Sequence, residues 1–286
     1  MFQLAIPVTQ STLDATKLAL TKALGAVKSS HRAEAMARGF GFRTHAAFLE
    51  RARSGRAEAA KVDGTAFAQY LARHDFNVAG STLYRAAAQA ALIGVAERFP
   101  TLTAAGFGMG RWRSVETPQE RRARFAQGRA ELVSEYAAAP FLASLAFVSR
   151  VERTKTIRPA TNSYWLKHVA EDYECTYPDG EPLGPVYVPN GLLIAAAIHA
   201  GFNVKPHRDD YGREKLNAGF NMAKTSLYDL DCEIRPDGDR ARDRRWEEER
   251  RAAKRSGYTY LQKTAATAAT RQCRTRNRIT APRATS

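Results

Sequence analysis

Thr117-Pro118-Gln119-Glu120, continuing through Arg121-Arg122-Ala123-Arg124-Phe125 to Tyr136, is the stretch that decides the fold class. Threonine before proline, with glutamate three residues after the threonine, forms a capping box. The proline takes the first helical position, where its missing N–H has no intrahelical partner in any case. The spacing predicts a helix that turns Phe125, Leu132 and Tyr136 inward, shows Arg121, Arg122, Arg124 and Arg129 on its other face, and ends at Pro140.

Start signals of the same kind recur upstream. Ser11 with Asp14 opens a helix carrying Leu13, Thr16, Leu20, Leu24 and Val27, and Ser29-Ser30 opens a second through Met36. Gly39-Phe40-Gly41-Phe42 reads as a turn, and Thr44 caps a short third helix ending near Ser54-Gly55. Asp63 or Thr65 starts a fourth with Phe67, Tyr70, Leu71 and His74 on one face. Ser81 starts a fifth, which Phe99-Pro100 stops.

Downstream, Ser163 caps a helix through Glu171, and Tyr177 to Pro189 reads as turns with one short strand, Val186 to Val188. Asn190-Gly191 opens an apolar helix that Gly201 closes, followed by a short strand at Phe202 to Lys205 and a loop from Pro206 to Lys215. Asp239 to Arg255 is nearly all charged, with Arg244/Glu248 and Glu247/Arg251 at helical spacing. The expected architecture is therefore mainly α. It comprises a helical domain over 1–149, a small α+β domain over 150–234, and at 235–286 a charged helix leading into a basic, partly disordered tail.

A chain of 286 residues with 44% hydrophobic content can bury a core. Its formal net charge of +15 asks for an acidic partner, nucleic acid first and an anionic membrane surface second. The excess is +8 over residues 1–148, −2 over 149–234 and +9 over 235–286, so the two flanks should do the holding. The longest apolar run, Ala137 to Val148, contains Pro140 and Ser144. It is shorter than the roughly 20 residues of a membrane span, and the first ten residues lack the charged segment of a secretory signal. Three separated cysteines, Cys175, Cys232 and Cys273, fit a reducing compartment and make neither a disulfide framework nor a zinc knuckle. The expected location is the bacterial cytoplasm, with association to the nucleoid. No membrane partner is expected, and the oligomeric state is open.

Three basic features are candidates for contact with nucleic acid, DNA ahead of RNA. Arg32 to Arg53 has the layout of a helix-turn-helix, with His45, Glu50, Arg51 and Arg53 able to face outward and Arg43 in the turn. A plain helical hairpin is the alternative, and Gly39 inside the first helix, unfavourable by about 1 kcal/mol, favours it. Arg121, Arg122, Arg124 and Arg129 suit phosphates, which supply the sequence-independent affinity, although a run of this kind is commonly a solvated helix face. The tail carries Arg271, Arg274, Arg276, Arg278 and Arg283 without an acidic neighbour, preceded by Tyr258 and Tyr260, and suits a flexible arm on a phosphate backbone. Gly106-Phe107-Gly108-Met109-Gly110 lacks the rest of a nucleotide-binding motif and reads as a hinge.

Chemistry is weakly signalled. His168, His199 and His207 lie in the second domain, with Asp209, Asp210, Asn190, Asn217 and Asn221, but His207 with Asp209 supplies only two ligands and no metal site follows. No nucleophile, metal or cofactor motif is present, so no catalytic residue and no cofactor is assigned.

Two stretches carry a resemblance. Ser30-His31-Arg32-Ala33-Glu34-Ala35 through Gly41-Phe42-Arg43 and Ala46-Ala47-Phe48-Leu49 resembles a short helical module at the start of various bacterial proteins. Ser163-Tyr164-Trp165-Leu166-Lys167-His168, with Tyr187-Val188-Pro189-Asn190-Gly191, Ile194-Ala195-Ala196-Ala197 and Gly201-Phe202, is similar to uncharacterised accessory proteins of proteobacterial plasmids and integrative elements. The resemblance implies a mobile-element setting and no particular reaction. The leading expectation is a DNA-binding accessory protein of replication, partition, transfer or its control. The alternatives are a protein-interaction module acting on a host system through the second domain, and an enzyme with its site around His168, Asn190 and His207. Convergence of those three side chains is the mark of the enzyme.

Overall fold

Two helices that are apolar on every side organise the structure, a computed structural model that describes residues 2–55 and 58–255. They are α7 (Ala138–Val148) and α9 (Asn190–His199), and they pack on one another with almost every residue buried. A helix without a polar face has no stable place except a core. Around them lie α1 (Gln10–Ala23), α2 (Ser29–Gly39), α3 (His45–Arg53), α4 (Gly64–Ala72), α5 (Ser81–Arg98), α6 (Pro118–Leu132), α8 (Ser163–Glu171) and α10 (Lys224–Ile234). Helix α1 packs on α5 and α2 on α4. Residues 1–234 form one compact unit, and α11 (Asp239–Arg255) belongs to a second that begins at Arg235. The chain is thus mainly α, and none of the described helices is by itself long and apolar enough to cross a membrane.

Most strands are short, and among the described residues every pairing is antiparallel. β1 (Ala5–Pro7) pairs with β2 (Ala59–Lys61), β3 (Leu102–Thr103) with β4 (Gly106–Phe107), and β6 (Cys175–Thr176) with β7 (Pro182–Gly184). The largest sheet has three strands, with β9 (Glu214–Met222) between β5 (Arg153–Asn162) and β8 (Val204–Arg208). Buried Ala218, Phe220 and Met222 anchor β9 to the core. Elements from both sides of position 150 share that core, since α7 packs on α8 and α9.

The caps explain several boundaries. Thr117 accepts from the Glu120 N–H while Glu120 returns a bond to the Thr117 N–H, the reciprocal box expected from sequence. Thr44 and Asp63 cap α3 and α4 as expected. Helix α9 ends at Gly201, whose φ of +85° suits glycine. Elsewhere the cap moved. Thr9, not Ser11, accepts from the Thr12 N–H, and Asn162, not Ser163, accepts from the Tyr164 N–H.

Other expectations are corrected. Helix α6 ends at Leu132, and Pro140 stands in the first turn of α7, where a missing N–H is tolerated. The 3-10 turn at Glu135–Ala137 rotates Tyr136 outward to 83% exposure. Val186–Val188 is not a strand, and Pro206 to Lys215 is not one loop. Strands β8 and β9 enter it from both ends and leave a turn in which the Asp209 carboxylate accepts from the Tyr211 and Arg213 N–H groups. Strands β1 to β7 and β9 and helices α7 and α10 have no counterpart among the elements expected from sequence. The tail beyond Arg255 lies outside the described residues.

Candidate nucleic-acid interface

Helix α2, the turn after it and α4 enclose a shallow basin of about 450 Å³. Its scaffold is stiff for local reasons. Gly41, with φ +80°, reverses the chain, and the Phe42 N–H donates to the Ala37 carbonyl at 2.9 Å. Phe40 and Phe42 both stack on Phe48, with ring centroids 5.1 and 4.9 Å away. The Asp63 N–H donates to the Gly39 carbonyl at 2.7 Å, tying the start of α4 to the end of α2. A Cβ on Gly39 would come within 2.2 Å of Leu83 Cδ2 and 3.1 Å of Phe67 Cβ, so this glycine permits the close approach of α2 to its neighbours.

Three exposed arginines rim the basin: Arg38 from the last turn of α2, Arg43 from the turn, and Arg73 from the end of α4. None of the three guanidinium groups has a hydrogen-bond or ion-pair partner among the described residues. Phe42, Tyr70 and His74 supply ring surface. The one carboxylate in the lining, Asp63, accepts from the Ala66 N–H at 2.9 Å as the cap of α4. Three positive charges thus face one negative charge that already serves a helix N-terminus, an arrangement that favours an anion.

The remaining expected contacts are distributed differently. Arg43 is in the basin, and Arg53 and Arg122 are exposed. Arg51 pairs with Glu58 at 2.9 Å. Arg121 donates to the Gly110 carbonyl at 3.0 Å and lies over the Trp112 ring at 4.5 Å. Arg124 forks onto Glu116 at 2.7 and 2.9 Å and donates to the Met109 and Arg111 carbonyls. The same guanidinium holds the Glu116 carboxyl below the usual carboxylate range. Arg129 donates to the carbonyls of Ala96, Phe99 and Leu102 at 3.0, 3.0 and 2.9 Å. Arg271, Arg274, Arg276 and Arg278 fall outside the described residues. Arg38 and Arg73 escaped sequence reasoning. The only signal for them was Tyr70 and His74 one turn apart on a helix, and it becomes informative once α4 is known to lie against α2.

The loop read as a hinge is anchored. Strand β4 packs along β9, and a Cβ on Gly106 would stand 2.0 Å from the Leu216 carbonyl oxygen. The Gly108 N–H donates to Thr101.

Among the residues considered for chemistry, the His168 ring meets Glu171 at 2.7 Å, and buried Lys167 meets the same carboxylate at 2.8 Å. Burial tends to raise the Glu171 carboxyl, but Lys167, His168 and the Val188 N–H outweigh it and lower it. The Asn190 side-chain amide donates to Ala105, Leu216 and Asn217, holding β4 and β9 to the start of α9. His207 lies on β8, where burial first and Lys215 second push its imidazole down. No described hydrogen bond or ring contact joins any two of His168, Asn190 and His207. No three His, Cys, Asp or Glu residues among those described stand together as metal ligands.

No family model matches the chain, and neither the curated proteins nor the solved structures show a similarity to it that stands above chance.

Proposed function

We propose that this protein binds nucleic acid, DNA ahead of RNA, with the arginine-rimmed basin between α2 and α4 as a primary contact and the basic tail as a second. The observation that carries the reading is the convergence of Arg38, Arg43 and Arg73 on ring-lined concave surface, their guanidinium groups without partners among the described residues, in a chain of net charge +15. Guanidinium groups that serve no carbonyl or carboxylate of their own protein are available to phosphate. The setting implied by the sequence resemblance, an accessory protein of a plasmid or integrative element working in the bacterial cytoplasm, belongs to the same proposal.

The test is a salt series with labelled DNA and the full chain. Each phosphate contact contributes about 0.9 to the slope of log affinity against log salt. The triple variant Arg38→Ala, Arg43→Ala, Arg73→Ala should therefore lose roughly 2 to 3 units of slope. Lys17→Ala, Lys22→Ala, Lys28→Ala removes equal charge from exposed positions elsewhere and should lose distinctly less. Equal losses in the two variants, or no binding by the natural chain at moderate salt, would overturn the proposal.

A second reading has one observation in its favour. Tyr164, Tyr187 and Tyr211 are 54%, 70% and 83% exposed within the weakly charged segment 149–234, and exposed aromatic side chains are characteristic of protein interfaces. A DNA-free complex that survives high salt and is lost on replacing those tyrosines would establish a protein-interaction role.

A further inference from the structure

We infer that the α2–α4 basin takes a single strand of nucleic acid, seating an unstacked base on Tyr70 and His74 while Arg38, Arg43 and Arg73 hold the flanking phosphates. The inference rests on the nucleic-acid reading above and narrows it from polyanion binding in general to one form of ligand.

The rings carry the argument. The Tyr70 and His74 centroids are 4.5 Å apart, with their planes inclined by 34°. His31 backs His74 at 4.4 Å, and Phe76 backs His31 at 5.8 Å. The His74 Nδ1 lies 2.8 Å from the Tyr70 carbonyl, which fixes the imidazole plane. Tyr70 and His74 are half-buried and therefore held, yet both line the open basin beside three arginines. A clamp for phosphate alone gains nothing from such a wall. A base that has left its stack gains contact with the ring surface that Tyr70 and His74 leave open to the basin, whatever its identity. A duplex keeps its bases paired and stacked inside, and would set only sugar and phosphate against these rings.

The face that a helix-turn-helix would offer to a duplex is poorly equipped. Helix α3 shows Glu50, an acid, on its exposed side. Its Arg51 is paired with Glu58, and the His45 Nε2 is buried. Only Arg53, at the far end, is an exposed arginine without a partner among the described residues. The cationic side of this helical hairpin is its junction with α4, which is concave, where a recognition helix needs a convex surface to enter a major groove.

The experiment compares the full chain on a labelled oligothymidylate of about 12 nucleotides, within the range of known single-strand sites, and on a duplex of similar length at the same ionic strength. The strand should bind more tightly than the duplex. Tyr70→Ala should weaken the strand about 5-fold or more, and the duplex clearly less. Tyr70→Phe keeps the ring and should restore strand binding, which separates stacking from a folding defect. The inference is overturned, with the nucleic-acid reading left standing, if the duplex binds as well as the strand or if Tyr70→Ala shifts both equally or neither. Absence of binding to both overturns the reading beneath it as well.

Discussion

Arg129→Met is the sharpest test of how the basic helix is used. The side chain reaches from α6 to the end of α5 and donates to the carbonyls of Ala96, Phe99 and Leu102 at 2.9 to 3.0 Å. Ala96 lies in the last turn of α5 and Phe99 is its C-cap, so these are carbonyls that the helix itself leaves without donors. A hydrogen bond to a charged group is worth about 1.5 to 3 kcal/mol net when buried. Arg129 is only partly buried, which lowers each bond toward about 1 kcal/mol. Its cation also lies at a helix C-terminus, adding roughly 0.5 kcal/mol. Methionine keeps the apolar stem and removes only the guanidinium. The expected loss is about 2 to 4 kcal/mol, or some 5–12 °C in Tm for a unit of this size. Urea unfolding at constant m-value measures it, with Arg122→Met, an exposed comparator, expected within about 0.5 kcal/mol of the natural chain. A loss for Arg129→Met no larger than the comparator's would refute the capping argument and return Arg129 to the solvated face.

Two further outcomes follow from backbone proximity and from burial. A Cβ on Gly191 would lie 1.8 Å from the Thr103 carbonyl oxygen and 2.8 Å from that of Ala104, so Gly191→Ala should cost about 3 kcal/mol or more, and a variant with near-natural Tm would refute the close approach. Burial first, offset in part by a hydrogen bond to the Ala5 backbone and reinforced by Arg98, lowers the His199 pKa below its ordinary value. Its contribution to stability is therefore complete above about pH 6.5, where the unfolded imidazole is neutral, and is lost as pH falls and only the unfolded state takes up the proton. Between pH 7.5 and 5.5 the natural chain should lose stability that His199→Gln does not lose, and parallel pH profiles would reject this.

Most helices were legible because their signals are local, while α7 and α10, which open on no side-chain cap or box that the sequence announces, were not. The box at Thr117 and Glu120, the caps at Thr44 and Asp63 and the Gly201 stop each involve residues a few positions apart, and each held. The caps that moved are decided by contacts outside their own helix. Ser11 and Thr9 are equally good acceptors, and packing of β1 against β2 decides where α1 begins. Strand β5 reads Arg-Thr-Lys-Thr-Ile-Arg-Pro-Ala-Thr-Asn, with no apolar alternation to announce it. It is a strand because β9 offers an edge, and even so its register shifts twice. The α6 period turns Tyr136 inward only if the helix runs on past Leu132, where it ends. The basin has the same non-local origin, since Arg38 and Arg73 come to one rim because Gly39 lets α2 close on α4.

The described arginines divide by task, and net charge alone does not separate those that serve the fold from those that are free to serve a partner. Arg32 donates to the carbonyls of Leu24 and Val27 after α1, Arg129 to those closing α5, and Arg153 to that of Ala200 after α9. Three helices end on carbonyl oxygens that no N–H of the same helix reaches, and a guanidinium, with five donors in a planar fork and a positive charge, suits that end of a helix. Arg121 and Arg124 do the same for the carbonyls of the glycine-rich hairpin. An arginine engaged in this way gives up fold stability if it turns to a phosphate, so it contributes little to binding however basic its segment looks. Affinity must come from arginines whose removal leaves the fold intact. In the unit formed by residues 1–234, the basin at Arg38, Arg43 and Arg73 gathers three of them around ring surface, and that makes it the place where mutation should separate binding from stability.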